Sequence, residues 1–157
     1  MRGLKKYFPL SKVYSLLEPG PVVMVTTKQG QRTNVMTMSW HTMMEFEPPL
    51  VGCIISNRNH TFSILKATKE CVIAIPTVQL APVVVKVGNT SGRNTDKFKK
   101  SGLTMMPASL VEAPLIKECF ANLECKVVDT TLVNKYNFFI LGVCKAWINP
   151  VIKNPRT

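Results

Sequence analysis

The apolar residues of this chain come in short, β-branched runs, each stopped within a few positions by proline, glycine or a polar cluster. Residues 21–27 (PVVMVTT) form one such run, and residues 71–75 (CVIAI) form another that ends at Pro76. The longest uninterrupted apolar stretch, residues 138–144, has seven residues, whereas a membrane-spanning helix needs roughly 20. Runs of this length and composition read as strands. Many strands with few helices predict a β-barrel carrying short helical additions.

The order of elements follows from the punctuation. Residues 28–32, around Gly30, supply a turn after the first strand, and residues 33–40 read as the returning strand. Pro48-Pro49 breaks the chain before a third strand at 50–56. Over 61–68 the period changes: Phe62, Ile64 and Leu65 fit one side of a short helix, with Asn59 or His60 near its start. Residues 71–75 make a fourth strand. Residues 78–87 read as helix or strand; Pro82 suits only a helix's first turn, and Gly88 is a stop. A polar loop at 88–95 precedes one helical turn at 96–100. Two long strands, 119–132 and 136–148, are joined by a turn at Val133-Asn134-Lys135. Helix and strand do not alternate strictly, and neither GxGxxG nor GxxxxGK[ST] occurs, which argues against a doubly wound nucleotide fold. At 157 residues, 46% hydrophobic and 18% charged, the expectation is one globular domain over 1–157.

Five cysteines, odd in number and without a CxxC pair, stand beside only two histidines. A disulfide framework or zinc site is not expected; small buried hydrophobes in a reducing compartment are. Residues 1–10 are basic but lack an apolar run of secretory type. A soluble, cytoplasmic protein without membrane association is the resulting expectation. The net charge of +11 is partly spread out, with one dense stretch from Lys86 to Lys100. No helix-turn-helix, zinc finger or aromatic RNA-binding signature accompanies it, so a basic surface serving an anionic small ligand is expected over nucleic-acid recognition.

Three polar segments interrupt the strands. The first, residues 34–40 (NVMTMSW), alternates small polar residues with methionines and ends in an indole. Such a surface covers flat heteroaromatic rings, although for this segment taken alone an ordinary amphipathic strand is the better reading. The second, residues 56–61 (SNRNHT), gathers hydroxyls, a guanidinium and an imidazole before a helix start, where a phosphate monoester would be well held. A capped helix start is the plain alternative, and His60 is open as cap, ligand or bystander. The third, residues 88–98, combines Gly88 and Gly92 with Ser91, Arg93, Asp96 and Lys97. It reads either as a ligand loop or as a mobile basic loop.

The order of these pieces is more specific than any one of them. PGPVVMVTT, NVMTMSW, PPLVGCIISNRNHTFSIL, CVIAIP, SGRNTDKF and APLIKECFANLECKV in succession resemble the flavin reductase-like, FMN-binding split-barrel family, including the flavoredoxins. The likeness runs from about residue 19 to about residue 150. It implies a split β-barrel, a homodimer with FMN near the subunit interface, and NADH, NADPH or a redox partner protein as electron donor. Under that resemblance Asn34, Thr37, Met38, Ser39 and Trp40 belong to the segment along the isoalloxazine. Ser56, Arg58, His60 and Thr61 look like the phosphate and ribityl pocket. Ser91, Arg93, Asp96 and Lys97 match the family's second contact region. No side chain is assigned as catalytic proton donor. Similar proteins commonly continue for some tens of residues past the equivalent of Pro155-Arg156-Thr157, so a tail that covers the site or embraces the partner is expected to be missing.

Overall fold

A computed structural model describes residues 20–151 together with Pro9, Ser11 and Leu16. Most of the basic leading segment 1–10 and the closing Pro155-Arg156-Thr157 lie outside the described residues. Nine strands are present among those described: β1 Val23–Gln29, β2 Arg32–Met38, β3 His41–Phe46, β4 Pro49–Ile54, β5 Glu70–Ile75, β6 Met105–Met106, β7 Leu115–Ile116, β8 Ala121–Asp129 and β9 Phe138–Ile148. The helices are α1 His60–Thr68, α2 Ala81–Gly88, α3 Lys97–Ser101 and α4 Val133–Tyr136.

Seven strands form one antiparallel sheet in the order β2-β1-β5-β8-β9-β4-β3, and β6 pairs with β7 separately. β2 and β3 are thus the opposite edges of the sheet, yet only Ser39 and Trp40 separate them in sequence. The three steps from Met38 to His41 span at most about 11 Å. The sheet must therefore curl until its edges meet at this corner, giving a barrel left open along one seam. His41 helps hold the corner, its Nε2 lying 2.6 Å from the Pro21 carbonyl oxygen.

The pleat explains why β1 is buried on both sides. Val23 and Val25 point into the barrel with Met38, Val51, Cys53, Leu65, Cys71, Ile73, Cys125, Phe139 and Leu141. Met24 points outward, beneath α2 and α3, with Val35, Ala74, Val84, Val87 and Phe98. Fully burying one such side chain contributes about 1.5–3 kcal/mol. α1 closes one end of the barrel through Leu65 and through Phe62, whose ring stands edge-on to Phe139 at 5.4 Å.

The segment left open between helix and strand is helical, with Pro82 in the first turn of α2. α3 begins where Asp96 accepts a hydrogen bond from the Lys99 N–H at 3.0 Å, and stops at Gly102 in the left-handed conformation, φ 68°. Two local expectations are corrected. The sequence does not separate β3 as a strand, because HTMMEF lacks a clean period of two and a bulge shifts its register between Met43 and Glu45. The turn before β9 is the helical turn α4, which buries Val133 and ends at Asn137 with φ 58°. Cys53, Cys71, Cys119 and Cys125 are buried free thiols, and Cys144 is exposed. Burial pushes the Cys53 and Cys119 thiols up to about 12, so both stay protonated and unreactive.

Candidate functional site

A cleft of about 330 Å³ lies where four parts of the fold converge: the start of α1, the middle of β2, the end of α2 and the loop leading to α3. Each part brings one kind of chemistry. β2 supplies Asn34 and Thr37, and α1 supplies Arg58, Asn59, His60 and Thr61 from its first turn and the turn before it. The end of α2 and the following loop contribute Gly88, Asn89, Thr90, Ser91 and Gly92, and α3 contributes Lys97.

Hydrogen bonding sets the polarity of the cleft. Asn34 is 3% exposed; its Nδ2 donates to Thr61 Oγ1 at 2.8 Å, and its Oδ1 has no partner in the protein. Because Thr61 accepts from Asn34, its own hydroxyl proton is free to donate into the cleft. Gly92 packs directly on Asn34, so that a Cβ there would collide with Oδ1. Asn59 makes no side-chain cap at α1, which leaves first-turn N–H groups without a capping oxygen. Lys97 is 6% exposed and donates from Nζ to the Val87 carbonyl at 3.0 Å.

The electrostatics are one-sided. Burial lowers the His60 pKa first, and the charges of Arg32, Arg93 and Lys97 lower it further. Burial also lowers that of Lys97. Among the described residues the one ion pair is Lys28–Glu112, and no carboxylate is paired with Arg32, Arg58, Arg93 or Lys97. Clustered cations without counter-charges, beside an open helix start, suit an anion.

Thr37, Gly88 and Asn89 also border a neighbouring groove of about 640 Å³, lined besides by Val22, Pro76, Val78, Ala81, Val84 and Val85. Those three residues line both. One end is cationic, the other apolar. The combination suits an elongated ligand with an anionic head and a flat, hydrophobic body.

Of the residues singled out in the sequence, Asn34, Thr37, Arg58, His60, Thr61, Ser91 and Lys97 line the cleft. Thr37 Oγ1 is already engaged, donating to the Val84 carbonyl at 2.7 Å. Met38 points into the barrel core at 4% exposure. Ser39 and the half-exposed Trp40 form the corner between β2 and β3. Ser56 accepts the Arg58 N–H at 3.3 Å and so shapes the turn before α1. Asp96 caps α3, and the Arg93 carbonyl accepts from Arg32 Nη2 at 2.9 Å. The sequence does not single out Asn89 and Thr90, which line the cleft, or Arg32, which stands outside it against the Arg93 carbonyl. The signal for Arg32 was its spacing: two residues before Asn34 on a strand is the same face.

An antiparallel barrel open along one seam, with a cationic cleft beside an apolar groove, defines the split-barrel class. Residues 16–155 match the family model of the flavin reductase like domain, and the chain belongs to that family. It is 38% identical over 110 residues to an uncharacterized protein of Archaeoglobus fulgidus, covering 70% of this chain and 62% of the relative. The chain therefore spans less than two thirds of that relative's length. An FMN-binding domain of a flavin reductases-like enzyme from Shewanella baltica superposes with a TM-score of 0.80 at 27% identity, covering 94% of this chain and 78% of the other. Flavoredoxin of Desulfovibrio vulgaris superposes with a TM-score of 0.80 at 24% identity, covering 88% and 74% respectively, which is a likeness of fold. Among the described residues no helix is long and apolar enough to cross a membrane.

Proposed function

We propose that this chain holds one FMN across the cleft and groove and serves as an oxidoreductase that takes electrons from NADH or NADPH. The observation that carries this reading is a carboxylate-free cationic cleft lying beside an apolar groove, the two sharing Thr37, Gly88 and Asn89 as lining. Bound FMN would supply hydride acceptance and the release of electrons singly or in pairs.

The chain's own part is binding and electrostatics. Arg58, the Thr61 hydroxyl and the first-turn N–H groups of α1 would take the phosphate, with Lys97 adding a buried positive charge. Asn34 Oδ1, buried and unpartnered, is an acceptor for a ligand hydroxyl such as those of a ribityl chain. The apolar groove beyond Thr37 would receive the ring system, with Ser39 and Trp40 at the β2–β3 corner as outlying members. In the family pattern the molecule is a homodimer, and exposed Trp40, Met43, Met44 and Phe46 offer an apolar face for a second copy.

The basic stretch Lys86 to Lys100, with exposed Lys86, Lys99 and Lys100, favours a second reading: a non-catalytic carrier that docks an acidic redox protein. Two measurements decide. Flavin absorbance that survives gel filtration establishes the cofactor, and its absence after incubation with FMN ends the proposal. Oxidation of NADH or NADPH by the loaded protein supports the enzyme, and reduction by a protein donor alone supports the carrier.

A further inference from the structure

At the strand ends away from α1, the inner faces of β1, β4, β5 and β8 enclose a cavity of about 350 Å³. Its walls are Val23, Val51, Ile73, Ile75 and Leu123. Packed interiors leave few voids larger than a water molecule, so barrel packing alone does not account for a space of this size. Gly20, Pro21 and residues 41–43 form the rim. Val23 is 3% exposed and Val51 and Ile73 are each 4% exposed, so the walls lie recessed behind that rim. A protein surface laid across the end would rest on the rim, whereas a small molecule would reach the walls. Those walls are aliphatic carbon, against which a charged group would lose its hydration with no partner to replace it. Dry apolar cavities take up apolar molecules instead. Two polar side chains stand at the rim. Thr42 gives its hydroxyl proton to the Met43 carbonyl at 3.2 Å. His41 Nε2 faces the Pro21 carbonyl at 2.6 Å and so carries the ring proton, which leaves Nδ1 of the neutral imidazole as an acceptor. The cavity shares no lining residue with the cationic cleft or with the groove beside it. Val22 borders that groove and Val23 this cavity, so the two lie on opposite faces of β1.

We propose that this end of the barrel is a separate small-molecule site, which takes an uncharged apolar compound carrying one hydroxyl directed at His41. At about 30 Å³ for each water-sized group, the cavity has room for about ten non-hydrogen atoms. The aliphatic walls hold the body of such a compound, and the rim nitrogen accepts its one proton. The site stands apart from the flavin reading, because no residue of the cleft or groove takes part in it.

The test is a methyl NMR titration of the full chain, with and without FMN, using 4-propylphenol as the probe. A dissociation constant below about 1 mM is expected, unchanged by FMN, with shifts confined to the wall methyls. 4-Propylbenzoate, similar in shape but charged, is expected to bind at least about a hundredfold more weakly. Propylbenzene, which lacks the hydroxyl, is expected to bind about three- to tenfold more weakly than the phenol. Leu123→Trp fills the cavity and is expected to abolish the shifts at the remaining wall methyls while the far-UV circular dichroism stays native. Ile75→Phe takes its place if that variant does not fold. Equal binding of the benzoate, competition by FMN, or binding that survives in a folded, filled variant overturns the proposal. Equal binding of propylbenzene overturns the role given to His41. Absence of shifts at the solubility limit of the probe overturns the site, as do Overhauser contacts from the wall methyls to residues 1–19 or to a second copy, which would show that protein fills the space.

Discussion

Asn34 is held between two requirements. Its amide nitrogen is committed to Thr61, while its amide oxygen is buried without a donor, a state that costs about 1–3 kcal/mol unless a ligand or water supplies one. Gly92 makes this possible by lacking a side chain. Gly92→Ala places a Cβ against Asn34 Oδ1 and Cγ, and the loop over the cleft must move. A loss of about 1–3 kcal/mol in stability, read by urea unfolding, together with weaker flavin retention is expected. Arg58 is exposed and tests binding without disturbing the core. Arg58→Ala is expected to raise the FMN dissociation constant about ten- to a hundredfold, from the loss of a charge-assisted contact worth about 1.5–3 kcal/mol. Fluorescence titration checks it, and an unchanged constant removes Arg58 from the site.

Among the elements, β8 and β9 show how one carboxylate organises a surface segment. Glu124 on β8 is fully buried, accepting from the Ser109 and Leu110 N–H groups and from Trp147 Nε1 at 2.7 Å on β9. Burial pushes its pKa up, but the bonds from Trp147, Ser109 and Leu110 and the charge of Lys145 outweigh that and hold it below the ordinary value. A depressed folded pKa means the unfolded chain binds the proton more readily. Glu124 therefore contributes stability in full above the ordinary carboxylate pKa, and the contribution is lost as pH falls through the lower folded value. Glu124→Gln is expected to cost about 1–3 kcal/mol at neutral pH and to flatten the acid side of the stability profile, as measured by urea unfolding at a series of pH values. Local signals served well for most elements here. Thr61 to Thr68 were legible as a helix because Phe62, Ile64 and Leu65 repeat on one side. β3 was not, because its residues are largely exposed and its alternation is interrupted by a bulge. An edge strand with little to bury leaves little periodic trace.

For the whole molecule, one run of exposed apolar residues follows the edge strand β3 and the corner before it. Phe46 is 90% exposed, and Trp40, Met43 and Met44 are each about half exposed. Such a patch suits the face of a homodimer. Phe46→Asp combined with Met43→Glu is expected to shift the sedimentation coefficient from dimer to monomer while leaving the far-UV circular dichroism unchanged. A wild-type monomer at the concentrations tested would remove the dimer from the proposal.

Most strand and helix types, the polar segments between them and the cationic loop were determined by the sequence itself, with β3, α2 and α4 the exceptions, because turn chemistry, proline placement and apolar period act over neighbouring residues. Closure of the barrel at Ser39 and Trp40, the inward aim of Met38 and the recruitment of Arg32 to the cleft mouth were decided by tertiary structure. Each depends on which distant strand lies alongside and on which face of the pleat is inside. Those are matters of long-range register, to which residues adjacent in the chain are blind.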